Sequence, residues 1–414
     1  MLVTAFIVAF LSSALIGVQF VNLAAANFLP PPPSLPSIYI RSDGTIDPPA
    51  AIQRIGEVYT FTGNIADRTL EIQRDNIVVD GAGYTLQGNT SGNGIKLTNR
   101  TGVTIKSLEL KQFHTCINIH SSSNIIIIGN TITDNGNAIA FHSSVNNRIE
   151  GNKLAGNHVA ILLYNASSHN SIIGNSMTNN GNGIWSEFNP SPSNDNNIIG
   201  NNVSENTNFG ILLRSSSNDL VKGNRIENNE DGIFLSGSAC QHNTIVDNNI
   251  ANNNRGIYIG ADAKHNTITK NNIANNGKGI HVSFSSNNIF CQNNFIDNTI
   301  QVYDSIEEFP DSKSPSESIW NDGVTGNYWS DYNGTDSDND GIGDTPYVID
   351  ENNQDNYPLL NLADVEVLPE FPSWTLMLLV LAVLTVAVTI YKQRLIKLRN
   401  KKRMSCKQEL LKRK

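Results

Sequence analysis

From Gly129 to Asn294 the chain repeats one pattern of apolar and polar positions eight times: a short strand, Gly-Asn, a second short strand, Asn-Gly-Ile, a third strand, then a Ser/Asn turn. The Gly-Asn step falls at Gly129, Gly151, Gly174, Gly200 and Gly223, and Asp247, Lys270 and Gln292 then take the glycine's place. Successive steps are 22, 23, 26, 23, 24, 23 and 22 residues apart, a period that belongs to repeat architectures. Within each repeat, apolar residues sit two apart in runs of three to five, as at Ile233 and Leu235, and no stretch of the repeats holds a helical period. Asn, Gly and Ser fill the gaps, which suits sharp corners.

Three short strands and three corners per ~23 residues describe one coil of a parallel β-helix. Coils stack like on like, so Ile139, Ile161, Ile184, Ile211, Ile233, Ile257 and Ile280 form an inward column, and Asn130, Asn152, Asn175, Asn201, Asn224, Asn248, Asn271 and Asn293 form an amide ladder. A leucine-rich repeat needs Leu at the inward positions and a helix per repeat, and neither is present. The fold class is therefore all-β, a single-stranded right-handed parallel β-helix of about ten coils over 70–300.

The flanks divide as follows. Residues 1–26 are apolar and end in Ala24-Ala25-Ala26, a secretory signal, with an uncleaved anchor as the alternative. A Pro-rich linker covers 27–37, an N-terminal cap 38–69, and an acidic, aromatic extension 301–362, of which Gln301–Ser318 reads as a loop. Residues 374–391 read as a membrane helix bracketed by Trp374 and Tyr391, and 392–414 as a cytoplasmic tail with eleven basic residues and one acid. The whole chain has 29 basic and 38 acidic residues; without the tail it has 18 against 37, which argues against nucleic-acid partners. Cys116, Cys240 and Cys291 sit at different points of their coils and give no disulfide framework.

Candidate chemistry lies on the third strands, written Gly-Ile-x-Leu-z, with x and z outward. The z column reads Thr98, His120, His142, Tyr164, Glu187, Arg214, and the x column carries Trp185, Phe234 and Tyr258. The longest coil inserts Phe188–Asn196 beside Glu187. Aromatic faces with hydrogen-bonding neighbours suit polysaccharide or glycoprotein glycans, so Trp185, Phe234, Tyr258, His142, Tyr164, Glu187 and Arg214 are the expected ligand-binding set. An ordinary outer face with scattered large residues is the bland alternative. A polysaccharide lyase or glycoside hydrolase would use Glu187, Tyr164 and Arg214, with Asp195 as the second carboxylate. Stacked pairs His120/His142 and His242/His265 lack further metal ligands. Asp336, Asp338, Asp340 and Asp344 alternate around Gly341 like a Ca²⁺ loop, with Asp331 or Asp350 to complete it.

The repeats, together with Gly326-Asn327-Tyr328-Trp329-Ser330-Asp331-Tyr332 and Asp355-Asn356-Tyr357-Pro358-Leu359, resemble the NosD-type right-handed β-helix proteins, part of the wider carbohydrate-binding and sugar-hydrolase (CASH) group. The early stretches Ser37–Gly44 and Asp75–Gly83 are similar to archaeal surface members, and Pro369-Glu370-Phe371 resembles an archaeal sorting signal. The resemblance covers about 37–391. It implies the β-helix and a surface location, and its name-giving branch implies copper delivery, although no Cys/Met/His cluster of the soft-ligand kind stands out.

Overall fold

The computed structural model describes residues 35–187, 191–305 and 316–366. The signal at 1–26, most of the Pro-rich linker, the 374–391 span and the basic tail lie outside the described residues. Among the described residues no helix is long and apolar enough to cross a membrane.

Alternating apolar residues and corner residues yield three strands per coil. Thr104–Lys106, Glu109–Lys111 and Thr115–His120 make one such coil. Each strand pairs in parallel with its counterpart one coil away, so three long sheets of 13, 12 and 12 strands run the length of a β-solenoid. The inward isoleucines from Ile139 to Ile280 are all fully buried, and one continuous apolar core follows the axis.

Regular coiling starts earlier than the hydrophobic pattern indicates. Val58–Phe61 already pairs in parallel with Val78–Asp80, and Ile65–Ala66 with Thr85–Gln87, inside the stretch assigned to the cap. The cap proper is smaller: Ile52–Ile55 folds antiparallel onto Val58–Phe61, and Ser37–Ile40 lies beside Thr69–Ile72. At the other end Ile300–Asp304 is a strand rather than the start of a loop, and it completes the eleventh coil. Its pairing to Lys278–Ser283 overrides the weak local pattern: it supplies partners to that strand's edge and buries Gln301 and Asp304, and it becomes the terminal strand of its sheet.

The corners explain the Asn content. Asn130 N and Nδ2 both donate to Asn152 Oδ1, at 2.9 and 3.0 Å, and the same pair of bonds recurs from coil to coil as far as Asn293 and Asn327. Two more ladders of the same design run from Asn135 to Asn298 and from Asn147 to Asn288, so every corner of the coil has one. The residue before each ladder Asn turns the chain at positive φ. Gly129 (φ 63°) does so freely, and Asp247, Lys270 and Gln292 do so at 53–56°. The glycine of Asn-Gly-Ile answers a different need: a Cβ on Gly232 would lie 2.5 Å from the Gly256 carbonyl oxygen of the next coil.

Beyond the last coil, Tyr328–Trp329 adds to the sheet of second strands. The chain then runs back along the rod, where Ala363 exchanges two hydrogen bonds with Asn294 (2.7 and 3.0 Å) and Glu366 pairs with Lys222 at 3.1 Å.

Candidate functional site on the third-strand face

From Asn93–Thr98 to Lys278–Ser283 the third strands are six residues long, and their first, fourth and sixth residues face outward. Register sets the sixth column: His120 lies beside His142, His142 beside Tyr164, and Tyr164 beside Glu187. Arg214 follows, its Nη1 3.5 Å from Glu187 Oε1. The His120 and His142 rings stack at 6.2 Å, and His142 meets Tyr164 edge-on at 5.1 Å. Burial, and then the neighbouring His120, hold the His142 pKa below its ordinary value, so this imidazole is neutral at pH 7. Glu187 Oε2 accepts a hydrogen bond from Trp185 Nε1 at 2.7 Å, which makes Glu187 the link between the two outward columns.

The fourth column, with Phe209 from the first, forms a continuous ridge. Ring contacts run from Trp185 to Phe209 (6.5 Å), Phe234 (5.0 Å), Tyr258 (4.3 Å), His281 (5.0 Å) and Tyr303 (5.0 Å). Trp185, Leu212 and Phe234 are only 8, 4 and 8% exposed, and with Val159 they make a second apolar cluster outside the coil. This corrects the expectation of open ring faces: Phe234 and Tyr258 turn their faces on each other at 15°, and what the ridge offers is ring edges and half-buried surface. Tyr258 leans over Gly260, where a Cβ would lie 2.4 Å from its hydroxyl.

Of the residues expected to bind, the structure brings Tyr164, Glu187, Arg214 and Trp185 onto neighbouring strands, and Phe234 and Tyr258 onto the next two coils. Asp195, the expected second carboxylate, sits at a corner, where its Oδ2 lies 4.0 Å from His169 Nε2. Sequence reading missed Arg255, which crosses the ridge: its guanidinium carbon lies 4.7 Å from the Tyr258 ring centroid. It also missed the polar cluster directly behind Glu187, where Ser186 takes a core position and its Oγ lies 3.3 Å from Ser216, itself bonded to the buried Asp219. The signal for Arg255 is its place as the first residue of a third strand, a position that faces outward like the fourth and sixth.

The acidic turn is a separate place. Asp336, Asp338 and Asp340 can each bring an oxygen within 4.8 Å of the others. Asp344 does not join them, because its Oδ2 accepts bonds from Ser337 N and Oγ and from Thr335 Oγ1. The expected four-carboxylate Ca²⁺ set is therefore three carboxylates, Asp336 half-buried and Asp338 and Asp340 exposed, and one that serves the turn.

No curated protein matches the chain. Solved structures do: the mannuronan C-5 epimerase AlgE4 A-module of Azotobacter vinelandii (15% identity, 68% of this chain and 88% of that one, TM-score 0.49), the periplasmic alginate epimerase AlgG (14%, 68% and 76%, 0.46) and the pectate lyase Pel9A (15%, 63% and 73%, 0.47). At such identities the likeness is one of shape. A family model described as "Periplasmic copper-binding protein (NosD)" matches residues 52–191 and 189–334.

Copper in such a site is held by converging thiolate, thioether or imidazole donors. Here burial pushes the Cys240 thiol up to about 12 and Cys291 to about 11, and Cys116 is raised as well. An imidazole lone pair lies in the ring plane, so the stacked His242 and His265 (5.7 Å, 11°) aim theirs side by side rather than at one point. The three-carboxylate turn offers only hard oxygen. The described residues do not fit copper, yet the coils themselves match the family model from 52 to 334, more than half of the chain, and by that match the chain belongs to the NosD family.

Proposed function

We propose that this is an extracytoplasmic binding protein that engages glycans along its third-strand face. The family description is of periplasmic proteins, which agrees with a surface outside the cytoplasm. One observation carries the reading. The Trp185–Tyr303 ridge is an apolar rail parallel to the rod axis, with Glu187, Arg214 and Arg255 in register beside it. A long, repetitive rail suits a long, repetitive ligand. The half-buried apolar surface of the ridge packs on the apolar faces of sugars, and the flanking groups take hydroxyls.

Binding is favoured over cleavage by spacing. Glycoside hydrolysis needs two carboxylates, and Glu187 is committed to Trp185 and Arg214 while Asp195 is turned to His169. For a lyase, Tyr164 as base and Arg214 as neutraliser stand two coils apart, about 9.6 Å along the axis, which is more than one sugar ring spans. Tyr258→Ala and Trp185→Ala each weaken retention of the protein in a native gel cast with the bound polysaccharide, while the polymer keeps its length. Unchanged retention by both variants, or a shortened polymer, overturns the reading.

A further inference from the structure

Along the ridge the ion pairs share one arrangement: the acid is the more buried partner and the cation the more exposed one. Asp231 has a side chain 1% exposed and its partner Arg255 26%; Glu187 is 20% exposed and Arg214 42%. Arg255 grips Asp231 through Nε and Nη2, and lies over Tyr258 and Phe234 with its carbon 4.7 and 5.9 Å from the two centroids. A guanidinium has five N–H donors, so this grip leaves the Nη1 end for another acceptor. Arg214 Nη1 makes a 3.5 Å ion pair with Glu187, and the Arg214 side chain remains partly open to solvent. One coil beyond Arg255, Lys278 Nζ stands 3.4 Å from the Tyr303 centroid.

Among the described residues, the other titratable groups beside the ridge, His281 and Glu230, place no negative charge over it. His281 is held neutral, its pKa lowered to about 4 by burial and then by Lys278 and Arg255. The exposed Glu230 is turned to the corner, where it accepts a bond from Asn254 at 2.8 Å. The strip is thus topped by cations on a chain whose net charge is −9.

From this charge order we infer that the glycan of this face is a carboxylate-bearing polysaccharide lying along the rod axis, its acid groups taken by Arg214 and Arg255. The inference rests on the glycan-binding reading above. Guanidinium forks match planar carboxylates, and those stacked on rings are weakly hydrated and release little water on binding. Arg214 and Arg255 are two coils apart, about 9.6 Å along the axis, and stand on opposite sides of the ridge, at the last and first positions of their strands, so a polymer lying on the ridge passes between them. Like-charge repulsion from the acidic remainder of the rod confines such a polymer to this strip.

The test uses the full chain in native gels containing polygalacturonate, the same polymer after chemical reduction of its carboxyl groups, or a neutral glucan. Retention on polygalacturonate is expected to be at least about tenfold tighter than on the reduced polymer, the worth of a charge-assisted hydrogen bond. Arg214→Gln is expected to remove about that factor on polygalacturonate and to weaken retention on the other two, where it meets only hydroxyls, by a clearly smaller factor. The wild-type comparison of native and reduced polymer does not depend on how any variant folds. Equal retention on the acidic and reduced polymers, or an unchanged Arg214→Gln, overturns the charge assignment and leaves glycan binding standing. Absence of retention on every polymer removes both.

Discussion

Asp219 stands where the ladder from Asn147 to Asn288 calls for asparagine, and it is 1% exposed. Its Oδ1 accepts the Asn196 N–H at 2.8 Å, as an Asn would. Its Oδ2 lies against Ser216 Oγ, which lies equally close to the Ser193 carbonyl oxygen. A serine hydroxyl carries one hydrogen and cannot serve two acceptors. A proton on Asp219 resolves the count: the carboxyl donates to Ser216, and Ser216 donates to Ser193. Burial acts the same way and pushes this pKa up from 3.8 to about 7; the other titratable groups facing it are Asp195, which raises it further, and the Cys240 thiol. The folded pKa lies above the unfolded one, so the folded chain keeps a proton between pH 4 and 7 that the unfolded chain has lost. This contribution to stability is whole below about pH 4 and falls as pH rises to about 7, by up to about 1.4 kcal/mol per pH unit, and is flat above. Asp219→Asn restores the missing Nδ2 donor and removes that slope. Urea midpoints from pH 4 to 8 should therefore converge at low pH, with the variant the more stable by pH 8; parallel curves for the two proteins would sink the assignment.

At the scale of the element, each corner is a ladder rung rather than a loop. Asn201 Nδ2 donates to Ile172 O and to Asn224 Oδ1, both at 2.9 Å, and its Oδ1 accepts Asn175 N and Nδ2 at 2.9 and 3.1 Å. Asn201→Ala leaves groups on both neighbouring coils buried without partners, at about 3 kcal/mol or more. The exposed Asn124, whose amide makes only 3.4 Å contacts, should cost only about 1 kcal/mol when changed to Ala, and that for placing alanine at a φ of 54°. Equal urea midpoints for the two variants would contradict the ladder account. One of the three ladders was legible in the sequence because glycine marks its positive-φ position at Gly129, Gly151 and Gly174. At the other two corners the same φ is held by residues as varied as Asp134, Glu205, His169 and His242, so no single letter announces them. The inward isoleucines fixed the register, and through it the order His142, Tyr164, Glu187, Arg214 could be read from spacing alone. The burial of the rings could not be read this way. It depends on where side chains lean, as with Tyr258 over Gly260, and the letter Gly260 gives no hint of the ring above it.

A rod built from like coils needs both ends closed, because each coil is supported only by its neighbours and a bare end exposes strand edges and core. The N-terminal end is closed by antiparallel strands, Ile46–Asp47 on Ser37–Ile40 and Ile52–Ile55 on Val58–Phe61. The C-terminal end is closed by rings: Trp320 lies on Phe290 at 4.3 Å, Trp329 on Phe295 at 4.2 Å, and Tyr347 on Trp329 at 4.1 Å. Trp329 is the centre of this plug, 1% exposed, with its Nε1 donating to Asp355 Oδ2 at 3.0 Å. Trp329→Ala removes a ring stacked on both faces and leaves Asp355 short of a donor, a loss of about 3–5 kcal/mol if the rod unfolds as one body. Nearest-neighbour coupling makes a more particular demand. The loss should be felt first in the coils next to the plug and fade along the axis, since the Asn ladders and core near Ile105 are untouched. Hydrogen exchange should therefore quicken at Phe290 and Phe295, and keep its wild-type rate at Ile105 and Ile127. The variant should also associate through its open end as concentration rises, which light scattering would detect. Faster exchange spread evenly over all the coils would mean that the rod melts as one cooperative unit, and the stack of rings would then be a part of the core like any other rather than its closure.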